Sequence, residues 1–211
     1  LTALPTNDEM SLLRINVMLR RRHHRPLPLG PWQCDGRTCR QRLDPYGEHW
    51  AAWRKSGRRG RRAKPIENTW ARVLREAGAT VDRNQKLADM RLPGVRANDK
   101  RKIEIVAKHL PLYRGLPLVL DATIASPLRA NGQPRPRAAV IDGVAITAIE
   151  NDKHTKYPEL TNSSKCKFLV LAGEIGERWS PTCSKLILDL ARVKSQSAAP
   201  RLRRSKGYAW K

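Results

Sequence analysis

Glu104 and Asp121 stand inside two neighbouring apolar runs, KIEIVA and PLVLDATIAS, and any fold of this chain has to accommodate both. Runs this rich in Val, Ile and Leu read as strands, where carboxylates are among the least welcome residues. On adjacent strands the two acids could share a divalent cation. Sixteen residues lie between them, enough for two strand halves and a turn, so both side chains can converge at one end of a strand pair. A third element, NDKHTKYPEL, follows with Lys153 and Lys156 three apart, a spacing that a helix places on one face. A nearby lysine supplies the positive charge that phosphodiester cleavage needs. Spacing alone leaves the plainer reading open, in which Glu104 is a solvated strand-end acid and the lysines a wet helix face.

The rest of the pattern is α/β. Ile66, Trp70, Val73, Leu74 and Ala77 recur at helical spacing, Pro65 suits the first turn, and Gly78 supplies the stop. ATVDRN reads as a short strand and LPLYRG as a turn. AVIDGVAITAIENDKHTKY is expected to be helical in its latter half, ending near Tyr157 because Pro158 disfavours helix before it. KFLVLAGEI is the cleanest buried strand. Ser180 and Pro181 read as the cap and first position of a helix running to about Lys194. The expected result is a small mixed sheet flanked by helices.

The chain has 211 residues, with 42 Lys and Arg against 19 Asp and Glu, for a formal net charge of +23. That balance points to a polyanion, with nucleic acid first, because each neutralised phosphate releases counterions. Arg20 to Arg22, Arg54 to Lys64 and Arg201 to Lys206 form basic segments around the apolar core, suited to sequence-independent backbone contacts. No apolar run reaches transmembrane length and no signal peptide is present, so no membrane partner is expected. The first residue is Leu and the last are YAWK, which reads as a fragment of a longer protein.

Cys34, Cys39 and His49 have the spacing C-x4-C-x9-H, suited to a zinc knuckle that needs a fourth ligand shortly after the histidine. His23, His24 or Glu48 are candidates to complete it. The alternative is a degenerate knuckle in which Trp50 and Trp53 pack as a small apolar cluster. Cys166 and Cys183 read as ordinary thiols, and reduced cysteines imply a nuclear or cytoplasmic location.

Taken in order, IEI at Glu104, DAT at Asp121 to Thr123, and KHTKY at Lys153 to Tyr157 resemble a nuclease family. This is the restriction-like, PD-(D/E)xK-type endonuclease domain at the C-terminus of non-LTR retrotransposon polyproteins. The resemblance also takes in LDPYGEH, TWARVLREAGATV and LVLAGEIGERW, and covers roughly residues 31–194. It implies a restriction-endonuclease-like fold in which Glu104 and Asp121 bind Mg2+ or Mn2+. Lys153 or Lys156 would then be a catalytic lysine displaced from the strand position that Thr123 occupies. It further implies a preceding knuckle holding Zn2+, whose fourth ligand, a Cys in the family, is Trp53 here. Where the family has Pro-Asp, this chain has Ile103-Glu104.

The implied organisation is a basic extension over 1–30, a degenerate Cys/His module and flexible basic linker over 31–64, the nuclease domain over 65–195, and a basic tail over 196–211. The implied activity is nicking of target DNA to prime reverse transcription. Its partners would be DNA, element RNA and an upstream reverse transcriptase domain. The rival expectations are a catalytically inactive nuclease-derived binding domain and an unrelated basic RNA- or DNA-binding protein. Glu67 is a candidate accessory acid, or a residue favoured by the N-terminal dipole of its helix. Glu174 is a weaker candidate, and His109 and His154 are expected to be exposed.

Overall fold

Alternation of apolar side chains along the strands decides how this chain is layered. The computed structural model describes residues 58–197 except 128, 130–132, 139 and 175–177, with side chains from residue 63 onward, and isolated positions before residue 58. In chain order the elements are α1 (Arg58–Glu76), β1 (Thr80–Lys86), β2 (Lys102–Lys108), β3 (Leu118–Ala125), α2 (Val144–Lys156), a single-turn α3 (Pro158–Thr161), β4 (Lys167–Glu174) and α4 (Pro181–Gln196). The strands form one mixed sheet in the order β1-β2-β3-β4. The first two pairings are antiparallel, and β3 and β4, joined through α2, are parallel.

On β3, Leu118, Leu120 and Ala122 face one side, with Trp70 and Leu74 of α1 and Leu186 and Leu190 of α4. Val119 and Ala125 face the other, with Ile146 and Ile149 of α2, Tyr157, and Leu160 of α3. The sheet is therefore sandwiched between two helical layers, and period-2 alternation turns Asp121 towards α2. Gly173 on β4 bridges Trp179, whose ring would lie 3.1 Å from an added Cβ, so a larger residue there would collide with the indole. Trp179 also joins Pro65, Ile66, Thr69, Trp70, Val73 and Ile187 around an apolar groove of about 440 Å3 on the α1–α4 side.

The strand boundaries, the stop of α2 before Pro158, and the Ser180 cap agree with the sequence pattern. The basic stretch before Pro65 does not. It is helical from Arg58, and Pro65 lies inside α1 rather than at its start. Arg and Lys are good helix formers, and the amphipathic face anchored by Trp70 and Leu74 lets the helix extend backwards through them. Cys34, Cys39, His49 and Trp53 lie outside the described residues, as do most of the N-terminal extension and the tail beyond Ser197. Among the described residues no helix is long and apolar enough to cross a membrane.

Ser180 is fully buried, and its Oγ accepts from the Cys183 amide at 3.2 Å, which closes the first turn of α4. Ser180→Ala is expected to cost about 1–2 kcal/mol by loss of that cap, read as a lower urea midpoint with an unchanged slope.

Candidate functional site

The sheet opens along one row of residues. Constant register places Asn84 opposite Glu104 and Glu104 opposite Asp121, yet neither pair belongs to the regular ladders. Asn84 adopts a left-handed conformation (φ +52), which Asn tolerates better than a β-branched residue and which bends β1 at this row. On the other side, the β2–β3 register ends at Ile105 and Leu120. There the side chain of Glu104 takes over from the backbone: Ala122 N–H donates to Glu104 Oε2 at 2.6 Å. A residue that looked out of place on a strand is thus the one that satisfies an amide left over where the strands part.

Asp121, with its side chain only 3% exposed, meets Lys153 of α2 across the layer boundary. The Lys153 ammonium lies 2.5 Å from Oδ1 and donates to Oδ2 at 2.6 Å. Oδ1 is buried and receives no properly directed hydrogen bond. Burial, reinforced by the charge of Asp121, pushes the Glu104 carboxyl up to about 7; the Ala122 amide and Lys153 pull in the opposite direction. The site thus holds two acids that repel each other and one cation in contact with both oxygens of Asp121.

Glu67, on the third turn of α1, is close enough to add to the charge around Glu104 and is held by Arg83 of β1 at 3.4 Å. Glu150, one turn before Lys153 on α2, has a buried Oε1 without a hydrogen-bond partner; its i, i+3 spacing from Lys153 was its only trace in the sequence. Lys156 does not join the cluster: it is exposed, with its ammonium 4.7 Å from the centre of the Tyr157 ring. The two lysines share a helix face, but a rise of about 4.5 Å over three residues carries Lys156 past Asp121 to the Tyr157 ring. Glu174 ends β4 and pairs with Arg178 at 3.5 Å. His109 is exposed beside Thr80, whereas His154 is half-buried, bonded to Thr161 and edge-on to Phe168.

Two adjacent carboxylates suit a hard divalent cation of the Mg2+ kind, which keeps several waters and needs only one or two protein carboxylates. Among the described residues no group of three Asp, Glu, His or Cys side chains is arranged to hold a metal ion, so the acidic pair would act with water and substrate oxygens.

The raised pKa of Glu104 has a consequence for stability. Unfolded, the group loses its proton near 4.5; folded, only near 7. Its stabilising contribution is complete below the first value and is lost as pH rises through the second. In metal-free protein, Glu104→Gln is therefore expected to raise the melting temperature at about pH 8 and to change it little at about pH 5. Thermal unfolding at both pH values checks this, and an equal shift at both would show that charge repulsion is not the cause.

No protein-family model matches the chain and no curated protein matches its sequence, so what this site does has to be argued from its own residues.

Proposed function

We propose that the chain carries a metal-dependent DNA endonuclease domain with a restriction-endonuclease-like core, resembling the nuclease domain of non-LTR retrotransposon polyproteins. The observation that carries the reading is the meeting of Glu104, Asp121 and Lys153 at the one row where the sheet opens. The order of elements supports it: a helix, three antiparallel strands, a crossover helix and a parallel fourth strand. So does the net charge of +23, which suits a polyanionic substrate.

In this reading Glu104 and Asp121 hold Mg2+ or Mn2+, which supplies Lewis acidity towards the scissile phosphate and lowers the pKa of a bound water. Lys153 holds the Asp121 carboxylate in place, and its ammonium offsets negative charge that develops on the phosphate oxygens. The basic segments hold the duplex through its backbone. A domain of this kind nicks target DNA and leaves a 3′-hydroxyl for a reverse transcriptase encoded upstream, and it works where that DNA is, in the nucleus or cytoplasm. Element RNA is a further partner on the same reading.

A second reading is a nuclease-derived domain that has lost catalysis and keeps DNA binding. The Glu104–Ala122 hydrogen bond favours it, because it gives the acid a structural role that would persist after activity had gone. An unrelated basic binding protein has no need to bury two acids and a lysine together.

Nicking of supercoiled plasmid with and without Mg2+ or Mn2+ separates these readings. Asp121→Asn is expected to lower metal-dependent nicking at least about 100-fold. The slope of log affinity against log salt, about −0.9 per phosphate contacted, should stay as in the wild type. Salt-sensitive binding without nicking by either protein would establish the inactive domain.

A further inference from the structure

Arg101 lies three residues before Glu104 in sequence, and its guanidinium reaches three separate parts of the fold. On its own side, Nε and Nη2 donate to Asp99 Oδ2 at 2.9 and 2.7 Å. Across the layer, Nη2 donates to Glu159 Oε1 of α3 at 2.7 Å. Nη1 donates to the backbone carbonyl of Lys156 at 2.7 Å, the last residue of α2. The guanidinium carbon also sits 5.7 Å from the centre of the buried Tyr157 ring, which caps that helix. A planar fork with five donors is suited to such a junction, and a lysine could occupy only part of it.

The junction is placed where it matters for the site. Lys156 O is one turn beyond Lys153, so a hydrogen bond to that carbonyl sets how far α2 can slide along the sheet. The other end of the clamp is the chain entering β2, whose third residue is Glu104. Hydrophobic packing on this face, from Ile146, Ile149 and Leu160, holds α2 against the sheet but does not by itself specify position along the helix axis.

We infer that Arg101 is a positioning residue that locks the end of α2 to the start of β2 and so sets the Lys153 ammonium against Asp121, a role that deepens the nuclease reading and rests on it for its catalytic consequence. Arg101 touches neither acid of the site. It acts by fixing the distance between two elements that each carry part of the cluster.

The test reads the Lys153 ammonium directly, by 15N-detected NMR of lysine side chains with the signal assigned by its loss in Lys153→Gln. In the wild type the bond to Asp121 is expected to protect that signal from exchange. Arg101→Met, which keeps an apolar stem over Tyr157, is expected to lose the protection. Nicking should fall about 100-fold in kcat, the penalty of a misplacement near an ångström, with KM for DNA little changed. Glu159→Gln keeps the arginine and weakens one anchor, so it gives a graded version of the effect if Arg101→Met does not fold. Ser180→Ala, at the far face, serves as the stability-matched comparison and is expected to keep both the signal and kcat.

An unchanged Lys153 signal in both clamp variants, or an equal loss in Ser180→Ala, would overturn the inference. If the wild type does not nick, the nuclease reading falls, and the ammonium signal alone decides the role of Arg101.

Discussion

The buried pairing of Lys153 with Asp121 is the contact on which the arrangement of this domain turns. Placing an aspartate with 3% of its side chain exposed next to a second carboxylate is costly unless a cation is in contact with it. On β3 itself the next position on the same face is Thr123, which carries no charge. The charge therefore comes from the overlying helix, which obliges α2 to lie with Lys153 directly above Asp121. That requirement propagates outward: α2 must end close after Lys153, Pro158 must redirect the chain, and Arg101 must hold the carbonyl that the helix end leaves free. Buried ion pairs add little net stability, so the gain here is in specifying one arrangement.

Much of this was legible in the residues. Short runs rich in Val, Ile and Leu marked the buried strands, and Ser180-Pro181 and Tyr157-Pro158 marked helix limits through backbone chemistry that depends on neither tertiary context nor partners. The meeting of Glu104 with Asp121 was readable because carboxylates inside apolar runs have few ways to be satisfied. The choice between Lys153 and Lys156 was not, since it depends on the rotation of α2 about its axis, which the packing of Ile146 and Ile149 decides. Nor was the helical start of α1: a basic stretch with two glycines has the composition of a linker, and what makes part of it helix is the apolar face downstream. Arg101 was hidden in a polar stretch, where an arginine gives no sign of whether it faces water or three acceptors.

The distribution of charge is harder to reconcile with a purely structural role for the acids. A chain with a net charge of +23 attracts polyanions over much of its surface, yet Glu104 and Asp121 form a local patch that repels phosphate. If the acids only tied strands together, a neutral side chain could accept the Ala122 amide without the burial and repulsion that push the Glu104 carboxyl up to about 7. On the proposed reading the repulsion becomes useful, because the same two charges that oppose a phosphate would fix a shared divalent cation that binds it. Lys153 neutralises only one of the two acids, and it leaves Asp121 Oδ1 without a directed hydrogen bond. With both acids ionised, Glu104, Asp121 and Lys153 together carry one net negative charge, which one Mg2+ would over-correct and one bound phosphate would restore. On the proposed reading, ion and substrate would arrive together, and the acids, the lysine and the chain's net positive charge would share a single cause.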